Sequence, residues 1–361
     1  MAVSEPGKLS CPECGAEALP DEAFCENCGA VLGDEPSGTA DPPATVPITP
    51  TVPIMSGGPA RCPGCGGSAF QDGYCTTCGA PAARERDHWP EAPAPWVAAV
   101  SDRGVRHHRN EDAMAVRASA EPGSLDVLVV CDGVSSSADP DIASLAAARA
   151  ARDVLAGPTP SSPSVAGRIN HWTTRLHEAA AAANAQAVAV YRNPSGRPRE
   201  RDSSPSCTLV AGVVDGPVVV VGWIGDSRAY WLPDAGPGEQ LSVDDSWASE
   251  QILSGVPREE AETSPQAHAI TRWLGQDSPD HSPRCSSTTP TGPGWLLLCS
   301  DGLWNYCSPA DRMGDLVTRI AADSDQDPVR TARALVAWAN GQGGMDNITV
   351  ALARLDAPAA T

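Results

Sequence analysis

Lysine is nearly absent from this chain. Lys8 is the only one in 361 residues, and the remaining permanent side-chain cations are all arginine. Aromatics are scarce too, at 4% of residues, and ten of them are tryptophan. No apolar run approaches the roughly 20 residues that a membrane-spanning helix needs, and the first residues show no apolar core of the export-signal kind. The 25 Lys and Arg do not balance the 45 Asp and Glu, which leaves a formal charge of −20. Such a chain repels phosphate backbones and anionic lipid, so it is a poor generic binder of nucleic acid or membrane. The expectation is a cytoplasmic protein with neither kind of partner.

Cysteine, by contrast, is plentiful and patterned. Eight of the 13 cysteines fall in four Cys-x-x-Cys-Gly units: Cys11 with Cys14, Cys25 with Cys28, Cys62 with Cys65, and Cys75 with Cys78. The stretches CPECGAEALPDEAFCENCG and CPGCGGSAFQDGYCTTCG form an internal repeat. Each copy offers four thiolates in two knuckles, the donor set of a closed tetrahedral zinc site. The glycine after each pair permits a positive φ, so the backbone can fold around the ion. Without an export signal, this spacing favours zinc over disulfides or a redox pair. Two structural zinc ions are expected, in ribbons over residues 1–32 and 61–80. Residues 1–95 carry 4 basic and 13 acidic side chains, so these ribbons suit protein contact better than nucleic acid. Residues 33–60, rich in Pro, Gly and Thr, are expected to be a disordered linker, and 81–95 a second linker.

From Trp96 the pattern becomes that of a folded domain. WVAAVSDRG and LDVLVVCDG suggest strands, and DIASLAAARAARDVL suggests a helix with Asp141 near its start. A long helix follows over SVAGRINHWTTRLHEAAAAANAQAVAVY and stops at Asn193-Pro194. Two β-rich runs turn at Asp215-Gly216. Residues 243–283 are mixed and partly helical. GWLLLCSDGLW is a strand, helices lie near 308–321 and 328–340, and NITVALARL is a final strand. Strands, two helices, strands, two helices and a strand make an α+β protein with antiparallel sheets rather than a βαβ alternation.

Acids recur where strands start or end, in RNEDA (109–113), VVCDGV (129–134), GWIGDSRAY (222–230), LLLCSDGLW (296–304) and GGMDNITV (343–350). One such acid usually caps a turn. Glu111, Asp112, Asp132, Asp226, Asp301 and Asp346 brought together would repel one another unless hard cations neutralised them. Oxygen-only ligation suits magnesium or manganese. A pair of such ions can activate water and hold a phosphate oxygen for in-line attack.

In order and wording, these motifs resemble those of the metal-dependent type 2C (PPM) serine/threonine protein phosphatases of bacterial type, over roughly residues 96–355. GDSRAY, SDGLW and DNITV in that order carry the resemblance. It implies a β-sandwich of two antiparallel sheets flanked by helix pairs, over residues 96–356. It implies hydrolysis of phosphoserine and phosphothreonine by direct attack of a hydroxide shared by two manganese or magnesium ions, with an opposing serine/threonine kinase. By the same resemblance Asp132, the carbonyl of Gly133, Asp301 and Asp346 ligate the two ions. Glu111 and Asp112 correspond to acids that act through water, and Asp226 to one that helps hold a weak third ion.

Three positions depart from the pattern. The usual phosphate-gripping Arg is replaced by His107, flanked by Arg106 and Arg109. Arg106 is taken as the catalytic cation, because a guanidinium pairs bidentately with phosphate. Val134, Ser135 and Ser136 replace a Gly-rich continuation, with no His after Asp132-Gly133. Asn305 stands where many members have Asp. These departures leave an alternative, a catalytically weak phosphoprotein-binding module of the same fold. In the linker, Thr45-Val46-Pro47-Ile48 and Thr51-Val52-Pro53-Ile54 resemble phosphothreonine motifs read by forkhead-associated domains, a partner to set beside a plain stiff spacer.

Overall fold

The computed structural model describes residues 9–10, 17–18, 61–62, 65–71, 74–79, 82–157, 164–190, 204–267, 269–278 and 280–356. Cys11, Cys14, Cys25 and Cys28, the 33–60 segment with Thr45 and Thr51, and Asn193-Pro194 lie outside these residues. The chain divides into two units, Met1–Arg84 and Glu85–Thr361.

In the first unit Leu9–Ser10 pairs antiparallel with Glu17–Ala18, and Phe70–Gln71 with Tyr74–Cys75. Cys62, Cys65, Cys75 and Cys78 are unbridged, and their sulfurs all lie within 4.8 Å of one another. Gly66 and Gly79 have φ of 73° and 76°, the left-handed values expected after each thiol pair. Four sulfurs at this spacing are the donor set of a structural zinc site.

The second unit is a sandwich. Its strands and helices, in chain order, are β1 His88–Ala94, β2 Val97–Asp102, β3 Ala113–Ala118, β4 Asp126–Cys131, α1 Pro140–Leu155, α2 Val165–Ala189, β5 Leu209–Asp215, β6 Val218–Ile224, β7 Arg228–Pro233 and β8 Glu239–Gln240. There follow α3 Trp247–Leu253, α4 Arg258–Glu262, β9 Arg284–Thr288, β10 Gly294–Cys299, α5 Asp301–Trp304, α6 Ala310–Asp323, α7 Pro328–Gly341 and β11 Ile348–Leu355. One sheet has the order β9-β6-β5-β4-β3 and the other β8-β7-β10-β11-β2-β1, with every pairing antiparallel.

Each central strand is apolar throughout because both of its faces are covered. In β10, Leu296 and Leu298 point between the sheets, while Trp295, Leu297 and Cys299 meet α6 and α7. In β4, Leu128 and Val130 point inward, and Val127, Val129 and Cys131 lie under α1 and α2. Alanine lines the buried face of both of those helices (Ala143, Ala147, Ala151, Ala179, Ala183) and lets them lie close to the sheet. The expected hairpin is present, with Asp215 paired to Val218. Asp215 is a structural acid: it accepts from Trp172 Nε1 at 2.9 Å and pairs with Arg168.

The 81–95 segment differs from expectation. His88–Ala94 is not a linker but the edge strand of the six-stranded sheet, paired with β2. Pro90 and Pro93 disguise it, since proline cannot donate to a ladder, yet an edge strand needs donors on one side only. Residues 243–283 hold α3 and α4, which pack on a small cluster of Ala248, Ala261 and Ala267. Arg272 ties Asp245 (3.3 Å) to Asp280 (2.8 Å).

Candidate active site

Strand register collects the acids at one end of the sandwich. Cys131 at the end of β4 lies opposite Ala113 at the start of β3, and Val130 lies opposite Val210 near the start of β5. Cys299 at the end of β10 lies opposite both Arg228 and Val350. The segments Glu111-Asp112, Asp132-Gly133, Asp226, Asp301 and Asp346 all flank these ends. Two glycines allow the loops to close. A Cβ on Gly302 would meet the Asn347 carbonyl oxygen at 2.0 Å, and one on Gly104 (φ 77°) the Asp346 carbonyl oxygen at 2.1 Å. The α5 turn and the Asp102-Arg103-Gly104 turn can therefore pack directly on the backbone beside Asp346.

Neutral polar groups hold these loops. Asn347 is buried, accepts from Glu111 N (2.7 Å) and donates to the carbonyls of Arg103 (2.7 Å) and Arg109 (3.0 Å). Asp112 is wholly buried, and its Oδ2 accepts from Ser300 Oγ and Thr349 Oγ1, each at 2.7 Å. Thr208 Oγ1 accepts from Asp132 N at 3.0 Å and pins the end of β4. Glu111 accepts from Arg109 Nε and Ser135 Oγ, both at 2.6 Å. None of Asn347, Ser300, Thr349 and Thr208 was singled out from sequence. A lone Asn, Ser or Thr beside a strand carries no periodic signal.

The carboxylates are crowded into a region short of positive charge. Burial, and then Asp112, Asp301 and Asp346, push Asp132 well above the usual carboxylate range. Asp226 is lifted by burial and then by Asp301 and Asp244. Asp346 is lifted by the protein packed round it and then by Asp301 and Asp112, although 40% of its side chain meets solvent. Burial carries Asp112 up to about 7 despite its two hydroxyl donors. Asp112 Oδ1 and Asp301 Oδ1 are buried with no hydrogen-bond partner among the described residues. Orphaned carboxylate oxygens at this end of the sandwich fit a hard divalent cation, which takes carboxylate and carbonyl oxygens. Among the described residues only the four thiols bring three or more donors within 4.8 Å of one another. No three of the acids offer oxygens that close together.

Two of the three departures from the motif pattern, at His107 and at Asn305, take partners among the acids. His107 Nε2 lies 3.2 Å from Asp346 Oδ1, and burial lowers its imidazole below the usual value. Arg109 lies between Glu111 and Asp141, the latter 4.0 Å away, while Arg106 is exposed with its N–H on the Gly344 carbonyl. Asn305 Nδ2 donates to Asp301 Oδ2 at 3.0 Å and so occupies one of that acid's acceptor positions. Beside the acids, a cavity of about 270 Å³ runs from Asp226 and Asp346 under α3 and α4 to Glu262 and Ser308.

Residues 103–338 match the family model for protein phosphatase 2C. This chain belongs to that family. Residues 11–79 match the double zinc ribbon model. The serine/threonine phosphatase stp of Listeria welshimeri is 31% identical over 257 residues, which cover 70% of this chain and 92% of that protein. The PPM Ser-Thr phosphatase MsPP of Mycobacterium smegmatis, solved in complex with cacodylate, superposes with a TM-score of 0.54 at 28% identity, over 73% of this chain and all of that one. The catalytic domain of the phosphatase PstP, solved with 2 manganese ions, gives 0.53 at 25% identity over 72% and 98%. This member of the protein phosphatase 2C family is therefore a serine/threonine protein phosphatase, a metal-dependent hydrolase preceded by a double zinc ribbon. Its substrates are phosphoproteins. No helix among the described residues is long and apolar enough to cross a membrane.

Proposed function

We propose that Asp132, the Gly133 carbonyl, Asp301 and Asp346 hold two manganese or magnesium ions, and that Asp226 helps to hold a weaker third. The observation that carries this reading is the convergence of these carboxylates at one end of the sandwich, where Asp112 Oδ1 and Asp301 Oδ1 are buried without a partner among the described residues and burial and the neighbouring acids raise the proton affinity of Asp132, Asp226 and Asp346. When bound, the cations supply the missing positive charge, ionise water near neutral pH and offset charge on the phosphate. Glu111 and Asp112 stand behind the direct ligands. Ser300, Thr349 and Ser135 fix the rotamers of those two acids, so that little reorganisation is needed when phosphate arrives. The phosphate is met by an arginine of the 106–109 segment. Water attacks the phosphoserine or phosphothreonine phosphorus in line, without a covalent enzyme intermediate.

The test is phosphate release from a phosphothreonine peptide by the metal-stripped full chain, with manganese, magnesium or chelator added. Release restored by manganese or magnesium and abolished by chelator is expected. Tight binding of the phosphopeptide without release would instead support a phosphoprotein-binding module, the reading that the Asn305–Asp301 bond favours. The zinc ribbons take two zinc ions and serve protein contact. An opposing serine/threonine kinase supplies the substrates, in a cytoplasmic setting. A forkhead-associated domain is proposed to read phosphorylated Thr45 or Thr51. Mass spectrometry after kinase treatment of an inactive variant decides this, and unmodified Thr45 and Thr51 beside other labelled sites would remove it.

A further inference from the structure

The catalytic acids are gripped from a residue outside the 103–338 region that matches the family. Arg86 sits in the short 3₁₀ turn Glu85–Asp87, just before β1. Its Nη2 donates to the Asp112 carbonyl at 2.8 Å and to Ser144 Oγ at 3.1 Å. Ser144 Oγ in turn donates to the Glu111 carbonyl at 2.5 Å. The Arg86 carbonyl accepts from Asn110 Nδ2 at 3.0 Å, and Asn110 Oδ1 accepts from Asp112 N at 3.2 Å. Residues 110–112 are thus held on both sides by one arginine and its serine relay.

The arrangement is costly if it serves only to dock an edge strand. A half-buried guanidinium loses part of its hydration, and Arg86 Nε is buried without a partner among the described residues. Burial lowers its proton affinity, and the charges that oppose this are Asp141, Asp112 and Glu111. Its other contact is the face of Trp89, 5.4 Å from the ring centre. The guanidinium holds the Asp112 carbonyl directly and the Glu111 carbonyl through Ser144.

We propose that Arg86 is a positioning residue for the cation site: through Asp112 and Ser144 it fixes the backbone from which Glu111 and Asp112 act. This rests on the cation-site reading above. Outer partners of metal ligands commonly contribute 10–100-fold in affinity. Arg86→Met, which keeps the stem and removes the fork, acts one step behind Glu111 and Asp112 and should therefore weaken manganese binding by up to about tenfold, the lower end of that range.

The experiment compares the metal-stripped full chain with Arg86→Met, Arg86→Ala, Ser144→Ala and the control Glu91→Ala. Glu91 lies on the same edge strand and accepts from Val116 N. Manganese affinity is read by calorimetry, and amide hydrogen exchange is followed in the metal-free state. The expected result is weaker manganese binding in both Arg86 variants, a smaller loss in Ser144→Ala, and faster exchange confined to residues 110–112. Glu91→Ala should loosen the edge strand while keeping manganese affinity. Unchanged affinity and unchanged exchange at 110–112 in Arg86→Met overturn the proposal, as does a loss of affinity in Glu91→Ala equal to that of Arg86→Met. If neither Arg86 variant folds, the residue is structural and the proposal fails. If the unsubstituted chain does not bind manganese, the cation-site reading fails, while exchange at 110–112 still decides whether Arg86 holds that backbone.

Discussion

Removing one of the crowded acids has opposite effects on chemistry and on stability. Asp132→Ala and Asp301→Ala should abolish manganese-dependent phosphate release. Asp132→Asn should also raise the melting temperature of the metal-free chain, because it removes one of a set of mutually repelling charges. A gain of about 1 kcal/mol corresponds to roughly 2–4 °C in a domain of this size, and calorimetry measures it. Near-normal turnover with manganese still required would remove Asp132 from the ligand set. The phosphate cation is decided between two neighbours. Arg106 is exposed, whereas Arg109 is half-buried and donates to Glu111 at 2.6 Å. Arg106→Ala should raise KM with little change in kcat, the signature of lost uniform binding. If Arg109→Ala has that effect and Arg106→Ala does not, Arg109 is the phosphate ligand.

At the scale of elements, β1 sets where the catalytic unit begins. A chain started at Glu85 keeps β1, Arg86 and the Glu91 contact to β3, and should retain activity on a small phosphoester. A chain started at Trp96 lacks all three and exposes the β2 edge, so it should lose activity and self-associate. Activity assays and size-exclusion chromatography separate the two outcomes. This boundary was hidden in the sequence for a physical reason: HWPEAPA alternates weakly and carries two prolines, so its pairing shows only in three dimensions. The central strands were legible because burial on both faces leaves unbroken runs such as LLLC and VVVV. The positions of Asp132, Asp301 and Asp346 at strand ends were legible from a Gly or Asn following each acid. Their convergence was visible only through the resemblance of motifs, since it depends on the register of six strands. Arg86, Asn110 and Asn347 were not legible at all. Their work is done on backbone carbonyls and amides, which no side-chain pattern announces.

For the whole molecule, proton and cation binding are linked. Asp112 is raised to about 7, and Asp132, Asp226 and Asp346 lie well above the usual carboxylate range. Groups whose folded-state affinity for protons is raised bind more protons folded than unfolded, so stability falls as pH rises from the unfolded carboxylate range toward neutrality. The melting temperature of the metal-free chain should therefore drop between about pH 5 and 7.5. Manganese at 100 times its dissociation constant should restore about 2.7 kcal/mol. A melting temperature that rises over that pH window without metal would contradict the crowding. The order of strands has one more consequence, in time rather than energy. β2 joins its sheet only through β11, which lies between it and β10. Asp132 and Asp301 leave the ribosome long before Asp346 does, and β11 follows later still. During synthesis the nascent chain passes through a period in which more than 300 residues exist but the six-stranded sheet is split and the acid cluster incomplete. Pairings this distant in sequence form slowly, so phosphate release by the nascent chain should begin only once β11 has paired, which a series of chains stalled on either side of residue 355 would measure.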